Sequence, residues 1–163
     1  MNALDKYISE NAGRTDIYET KAYWTQCVAL AKHYSQNVIW VTIWSFGGSA
    51  KTWWENKSNT FPEFLWDRIP NDIKKPEQVP QIWDIIFFET GTQYDHVAIV
   101  QQAPAWVNQI KVFEQNTGNW DGSWYDDRAR VNTYTYNNCL GWYSPKKFYI
   151  EYRWVPVHFI PPY

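Results

Sequence analysis

Cys27, His96, Glu114 and Asn116 are the residues whose types could do chemistry together. An ionised thiol attacks an electrophilic carbon, an imidazole carries the proton, and a carboxylate or carboxamide holds the ring in one tautomer and orientation. Glu114 and Asn116 end the run Ile110-Lys111-Val112-Phe113-Glu114-Gln115-Asn116, which reads as a β-strand. Side chains alternate along a strand, so Glu114 and Asn116 are expected on one face and Gln115 on the other. The imidazole comes from Tyr94-Asp95-His96-Val97-Ala98-Ile99-Val100 and the thiol from Trp24-Thr25-Gln26-Cys27.

Three elements have to bring these groups together. Thr25 is the expected N-cap of a helix with Gln26 and Cys27 in its first turn. Cys27, Leu30, Ala31 and Tyr34 follow helical spacing and form an apolar stripe. The thiol then sits at the positive end of a helix, where unpaired amides and the dipole favour a thiolate. An arbitrary free cysteine is more often an inert buried residue, and spacing alone leaves both readings open. His33 falls on another face of the helix and reads as a surface histidine. The strands carrying His96 and Glu114 read as hairpin neighbours, so His96 can lie opposite Glu114 or Asn116. The backbone amide of Cys27, with Gln26, is the expected receiver of a developing oxyanion.

Around these pieces the period changes once. Residues 2–12 carry Leu4, Tyr7, Ile8 and Asn11 at helical spacing, with Gly13 as the stop. Val38–Trp44 fits a strand or a buried continuation of the second helix. Gly47 and Gly48 open a short helix toward Trp54, without the spacing of a phosphate loop. Residues 56–81 hold Pro62, Pro70, Pro76 and Pro80 and read as a long surface connection, with at most a helical turn near Phe64–Arg68. Strands are expected at 82–88, 95–101, 109–115, 131–136, 140–143 and 153–160, with a loop at 119–130. Helices first and a strand meander afterwards make an α+β fold with an antiparallel sheet.

At 163 residues the chain suits one domain with a real core. A net charge of −2 gives no basic field for nucleic acid or an anionic membrane. No apolar run approaches the roughly 18 residues of a membrane span. The start, Met1-Asn2-Ala3-Leu4-Asp5-Lys6, does not resemble a signal peptide, which points to synthesis in a reducing cytoplasm. The two cysteines, Cys27 and Cys139, make no disulfide framework. Twelve Trp and twelve Tyr exceed what such a core needs, so some aromatics could line a groove for sugars or peptides.

Six stretches, in order, resemble the CHAP family of cysteine, histidine-dependent amidohydrolases and peptidases found in bacteriophage endolysins. Gln26-Cys27 resembles its nucleophile motif, and Gly47-Gly48-Ser49-Ala50-Lys51-Thr52-Trp53 its small-residue segment. Pro80-Gln81-Ile82-Trp83-Asp84-Ile85-Ile86-Phe87 is similar to the strand written PxxGDIVVF. His96-Val97-Ala98-Ile99-Val100 resembles GHVAIV, and Phe113-Glu114-Gln115-Asn116 resembles xEQN. Val157-His158-Phe159-Ile160-Pro161 is similar to the ending of several phage lysins.

The resemblance implies a papain-like fold of the NlpC/P60-CHAP type, with N-terminal helices packed on an antiparallel sheet, as one catalytic domain over 1–163. It implies cleavage of an amide in bacterial peptidoglycan after holin-dependent release, with Cys27 as nucleophile, His96 as base and then acid, and Glu114 and Asn116 as orienters. Gln26 falls at the oxyanion, and Trp120 and Trp124, with Tyr125 and Trp142, are candidates to hold glycan or stem peptide. A monomer without nucleic-acid, membrane or cofactor partners is expected. Glycines of the family pattern are replaced by Trp83 and Asp95, the latter read as a turn residue. The calcium loop of several phage relatives would need aspartates where this chain has Tyr18 and Thr20, so no calcium is expected despite nearby Asp16 and Glu19. Two other readings keep the fold: a catalytically silent wall-binding module, and an amidase or protease toxin acting on another amide.

Overall fold

The computed structural model describes residues 2–17, 26–44, 48–116 and 128–146. In them, α1 (Ala3–Asn11), α2 (Cys27–Tyr34) and α3 (Ala50–Asn56) precede six strands. These are β1 (Trp66–Pro70), β2 (Ile85–Phe88), β3 (His96–Gln102), β4 (Ile110–Glu114), β5 (Arg130–Tyr134) and β6 (Cys139–Pro145). They form one sheet in the order β1-β6-β2-β3-β4-β5, with every neighbouring pair antiparallel. The strand expected at 153–160 lies outside the described residues.

Local chemistry explains the helices. The Asn2 side chain accepts the Asp5 amide at 2.8 Å and caps α1, whose stripe Leu4, Tyr7, Ile8 and Asn11 is buried. Left-handed Gly13 follows its end (φ 83°) and donates to the Ala129 carbonyl just before β5. The Ser49 side chain caps α3 through the Thr52 amide. After Tyr34 the second helix widens into a π turn, Ser35–Ile39, and left-handed Trp40 ends it. The stretch open to either reading at Val38–Trp44 is therefore helix to Ile39 and irregular chain beyond.

At the centre of the sheet both faces are buried, which is why β2 and the first part of β3 are unbroken buried runs rather than alternating ones. The helix face packs Ile85, Phe87, Val97, Ile99 and Phe113 against α1 and α2. The other face packs Ile86, Phe88, Ala98, Val100, Ile110 and Val112 against itself. The sheet curls far enough that Tyr134 of β5 meets Phe88 of β2, ring centroids 4.9 Å apart, across the two strands between. Much of the aromatic excess is core: Trp53, Trp66, Trp142, Tyr34 and Tyr143 have almost no exposed surface. Trp142 is thus a packing residue and not part of a substrate groove. Trp40, Trp44, Tyr94 and Trp106 are exposed.

The connection expected at 56–81 is corrected. Its middle is β1, paired with β6 in the register Trp66↔Pro145 to Pro70↔Gly141. Its partner lies some seventy residues downstream, so local pattern carried no sign of it, and Pro70 is tolerated because β1 is an edge strand. The segment Ile82–Asp84 is also a turn rather than the start of β2. Asp84 Oδ2 accepts the Gln81 amide at 2.8 Å, and the Asp84 carbonyl accepts the Val100 amide at 2.9 Å, which joins that turn to β3.

The two glycine departures carry a backbone cost. Trp83 (φ 91°) and Asp95 (φ 52°) both lie in the left-handed region, where glycine is the unstrained residue. Asp is one of the side chains that tolerates this region, and Asp95 Oδ1 accepts the Thr90 amide at 3.3 Å. Trp83 is held by packing against the helix-side core and by the Tyr34 hydroxyl, which donates to its carbonyl at 3.3 Å.

Gly141 is the most closely approached of the described glycines. A Cβ there would stand 2.3 Å from the Ile69 carbonyl oxygen and 2.7 Å from Trp54, on a backbone with φ 140°. Gly141→Ala is expected to cost about 3 kcal/mol through overpacking and strain, read as a lower midpoint in urea unfolding with an unchanged slope.

Candidate active site

The N-cap of α2 is Gln26, in extended backbone and without a side-chain capping bond, while Thr25 lies outside the described residues. Cys27 is the first helical residue, so its sulfur faces a helix end whose amides are uncapped. The stripe Cys27, Leu30, Ala31 and Tyr34 is buried as its spacing requires. It rests on β3 and places Cys27 against the first residues of that strand, His96 and Val97.

The thiol of Cys27 is hydrogen-bonded to His96 and to the backbone amides of Val97 and Val28. Burial pushes the thiol up, but the hydrogen bond and charge of His96, with those amides, outweigh it and hold Cys27 below the ordinary thiol range. Burial likewise disfavours charge on His96. Its hydrogen bonds and charge interactions with Cys27 and Glu114 prevail and raise it to about 10. Both directions favour the same state, a thiolate beside an imidazolium. Among the described residues Cys139 has no such partner, and burial pushes its thiol up to about 12.

Glu114 is the ring's other neighbour. With Ile99 opposite Phe113, Glu114 is the diagonal same-face neighbour of His96. His96 Nε2 donates to Glu114 Oε2 at 2.9 Å, which leaves Nδ1 for the thiol. Glu114 has no exposed surface, and its Oε1 accepts from Asn132 Nδ2 at 3.0 Å and from the Tyr134 hydroxyl at 3.0 Å. Sequence reading passed over Asn132 and Tyr134. Their alternation along β5 was visible, but the pairing with β4 that aims them was not.

The two residues after Glu114 act on the helix. Gln115 points to the other face, as alternation demands, and is fully buried. Its Nε2 donates to the carbonyls of Ile17 at 2.9 Å and Gln26 at 2.8 Å, clamping the chain just before Cys27. Asn116 departs from the expected geometry. The strand ends at Glu114 and Asn116 turns left-handed (φ 57°), so strand alternation no longer applies to it. Its Nδ2 donates to Gln26 Oε1 at 3.3 Å. Glu114 is therefore a partner at the ring, while the bond made by Asn116 goes to Gln26, the residue before Cys27.

Trp120, Trp124 and Tyr125 lie outside the described residues, as do Tyr18, Glu19 and Thr20. The remaining acid of that region, Asp16, is taken up by Arg14 at 2.7 and 3.0 Å. Among the described residues no three His, Cys, Asp or Glu side chains cluster as metal ligands. His33, read as a surface residue, is half-buried and its Nδ1 meets the Tyr7 hydroxyl at 2.8 Å.

A thiol at a helix N-terminus, beside an imidazole at the head of an antiparallel strand, is the framework of the α+β papain-like fold. A family model for the CHAP domain matches residues 17–116, more than half of the chain, and the chain belongs to that family. The wild-type endolysin LysIME-EF1 superposes with a TM-score of 0.64 at 18% identity, over 89% of this chain and 64% of that one. Ly7917 superposes with a TM-score of 0.58 at 17% identity, over 89% of this chain and 62% of that one. Ly7917 with the hydrolyzing product of MDP gives 0.55 at 16% identity, over 88% and 61%. The chain thus spans less than two thirds of the length of these structures, and the likeness is one of fold. No curated protein matches the chain.

Two outcomes follow for the thiol. Iodoacetamide is expected to alkylate Cys27 well before Cys139, with the Cys27 rate rising at a pH below the ordinary thiol value, as mapped by peptide mass spectrometry. His96→Ala is expected to move that rise to higher pH, whereas Asp95→Asn, which keeps a turn-compatible side chain, leaves it in place.

Proposed function

We propose that this protein is a cysteine-dependent peptidoglycan hydrolase of the endolysin type, cleaving an amide bond of the bacterial cell wall. The observation that carries the proposal is the buried chain Cys27–His96–Glu114, with a thiol below its ordinary range and an imidazole raised to about 10. Membership of the CHAP family and the fold shared with endolysins support the choice of wall substrate.

In this reading the Cys27 thiolate attacks the carbonyl carbon of the scissile amide, and the carbonyl oxygen takes the negative charge. The backbone N–H of Cys27 and the Gln26 carboxamide receive that charge. Asn116, by bonding Gln26 Oε1, leaves the Gln26 amide hydrogens free to donate. His96 gives its proton to the leaving amine as the tetrahedral intermediate collapses to a thioester. His96 then takes a proton from water, the hydroxide displaces Cys27, and the acid product leaves. Glu114 keeps the ring aimed throughout and balances the imidazolium. Among wall amides, the reading covers both an endopeptidase and an N-acetylmuramoyl-L-alanine amidase, which release different new termini.

Purified walls are expected to lose turbidity with the wild-type protein. Cys27→Ala should slow clearing by at least about a thousandfold while leaving the melting temperature near that of wild type. Equal clearing by both proteins overturns the proposal. Mass spectrometry of the released fragments assigns the bond: a free alanine amino group marks the amidase, a cut within the stem or bridge the endopeptidase. The pH dependence of clearing should be a bell. Its acid limb is set by ionisation of Cys27 below the ordinary thiol range, and its alkaline limb falls as His96 loses its proton near pH 10.

A further inference from the structure

Outside the residues that touch the thiol or the ring, β5 presents two side chains to the one acid of the site. Asn132 Nδ2 and the Tyr134 hydroxyl both donate to Glu114 Oε1, each at 3.0 Å, while Oε2 accepts from His96. Neither donor is loosely placed. Asn132 Oδ1 accepts the Thr133 amide at 2.9 Å, which settles the carboxamide orientation and directs Nδ2 at the carboxylate. The Tyr134 ring lies against Phe88 at 4.9 Å and beside His96 at 6.5 Å. Burial first, and then the charge of Glu114, raise the Tyr134 phenol, so it remains a donor over the whole working range.

We propose that Asn132 and Tyr134 are positioning residues: together they fix the rotamer and the negative charge of Glu114, and through it the orientation and protonation of His96. The proposal rests on the hydrolase reading for its catalytic consequence but not for its electrostatic one. A carboxylate with no exposed surface has no water to stabilise it and depends on the donors the fold supplies. With only His96 bonded, the carboxylate could rotate, and its charge would be held by the imidazole alone. Among the described residues, the charged or titratable groups facing this cluster are Cys27 from α2, His96 from β3, and Arg130 from β5, which stands opposite Glu114 in the register. All three stay in place in the variants below, so a shift reports on the two donors.

Tyr134→Phe removes one hydroxyl and keeps the packed ring. Asn132→Ala truncates a half-buried side chain at a strand edge. The measurement is the pH dependence of Cys27 alkylation by iodoacetamide, followed on the Cys27 peptide, in wild type, both single variants and the double variant. Wall-clearing kcat and KM are measured on the same samples. Withdrawing donors from the carboxylate leaves negative charge less stabilised, so the linked groups hold their protons to higher pH. The alkylation midpoint and both limbs of the clearing profile are expected to move up by about one pH unit in the double variant. kcat is expected to fall about tenfold in each single variant with KM unchanged.

A purely structural role would lower the melting temperature and the active fraction and leave midpoints and KM where they were. That result, or wild-type kcat and unmoved midpoints in the folded double variant, overturns the proposal. Should the double variant fail to fold, Tyr134→Phe alone decides by the same two readouts. If the midpoints shift but wild-type protein never clears walls, the hydrolase reading fails and the positioning role stands. If wild type clears walls and neither midpoints nor kcat move, the positioning role fails alone.

Discussion

A carboxylate buried without exposed surface must have its oxygens filled by donors, and in this chain that requirement falls on Glu114. The donors come from both flanking strands: His96 from β3 on one oxygen, Asn132 and Tyr134 from β5 on the other. The demand of one side chain thereby sets how the three strands must lie at this end of the sheet. The same Tyr134 ring also packs against Phe88 of β2, so the residue that donates to the carboxylate is held by the curl of the sheet. The same buried negative charge is one of the reasons the imidazole keeps its proton, and the charged imidazole is in turn what holds the thiol ionised.

Three consecutive residues then divide the work between sheet and helix. Glu114 serves the ring on one face. Gln115, on the other face, clamps the carbonyls of Ile17 and Gln26 and so fixes the entry to α2. Asn116 leaves the strand in a left-handed turn and reaches the Gln26 side chain. A strand alternates strictly, so it can address two faces only, and the break at Asn116 supplies the third direction. The distance between a thiol on a helix and an imidazole on a strand is thus governed by one short peptide segment, and not by packing alone.

The departures at Trp83 and Asp95 have the same origin in backbone geometry. Both residues launch strands, β2 and β3, from left-handed positions where glycine would sit without strain. A tryptophan is accepted at 83 because its ring packs on the helix-side core and the Tyr34 hydroxyl holds its carbonyl. Asp95 bonds the amide of Thr90 across the preceding turn.

Much of the candidate site was legible because it depends on local rules. The stripe from Cys27 to Tyr34, the strand runs around His96 and Glu114, and the opposite facing of Gln115 follow from helical and strand periods acting on neighbours in the chain. What the sequence left open needed contacts between distant residues. The edge strand β1 exists only through β6, the partners Asn132 and Tyr134 are aimed only by the β4–β5 register, and Asn116 takes a left-handed backbone angle that no side-chain pattern encodes. The sequence by itself determined which chemical groups were present and on which elements they sat. The tertiary structure decided which of them touch, because hydrogen bonds and buried charges act over a few ångströms between residues the chain keeps far apart.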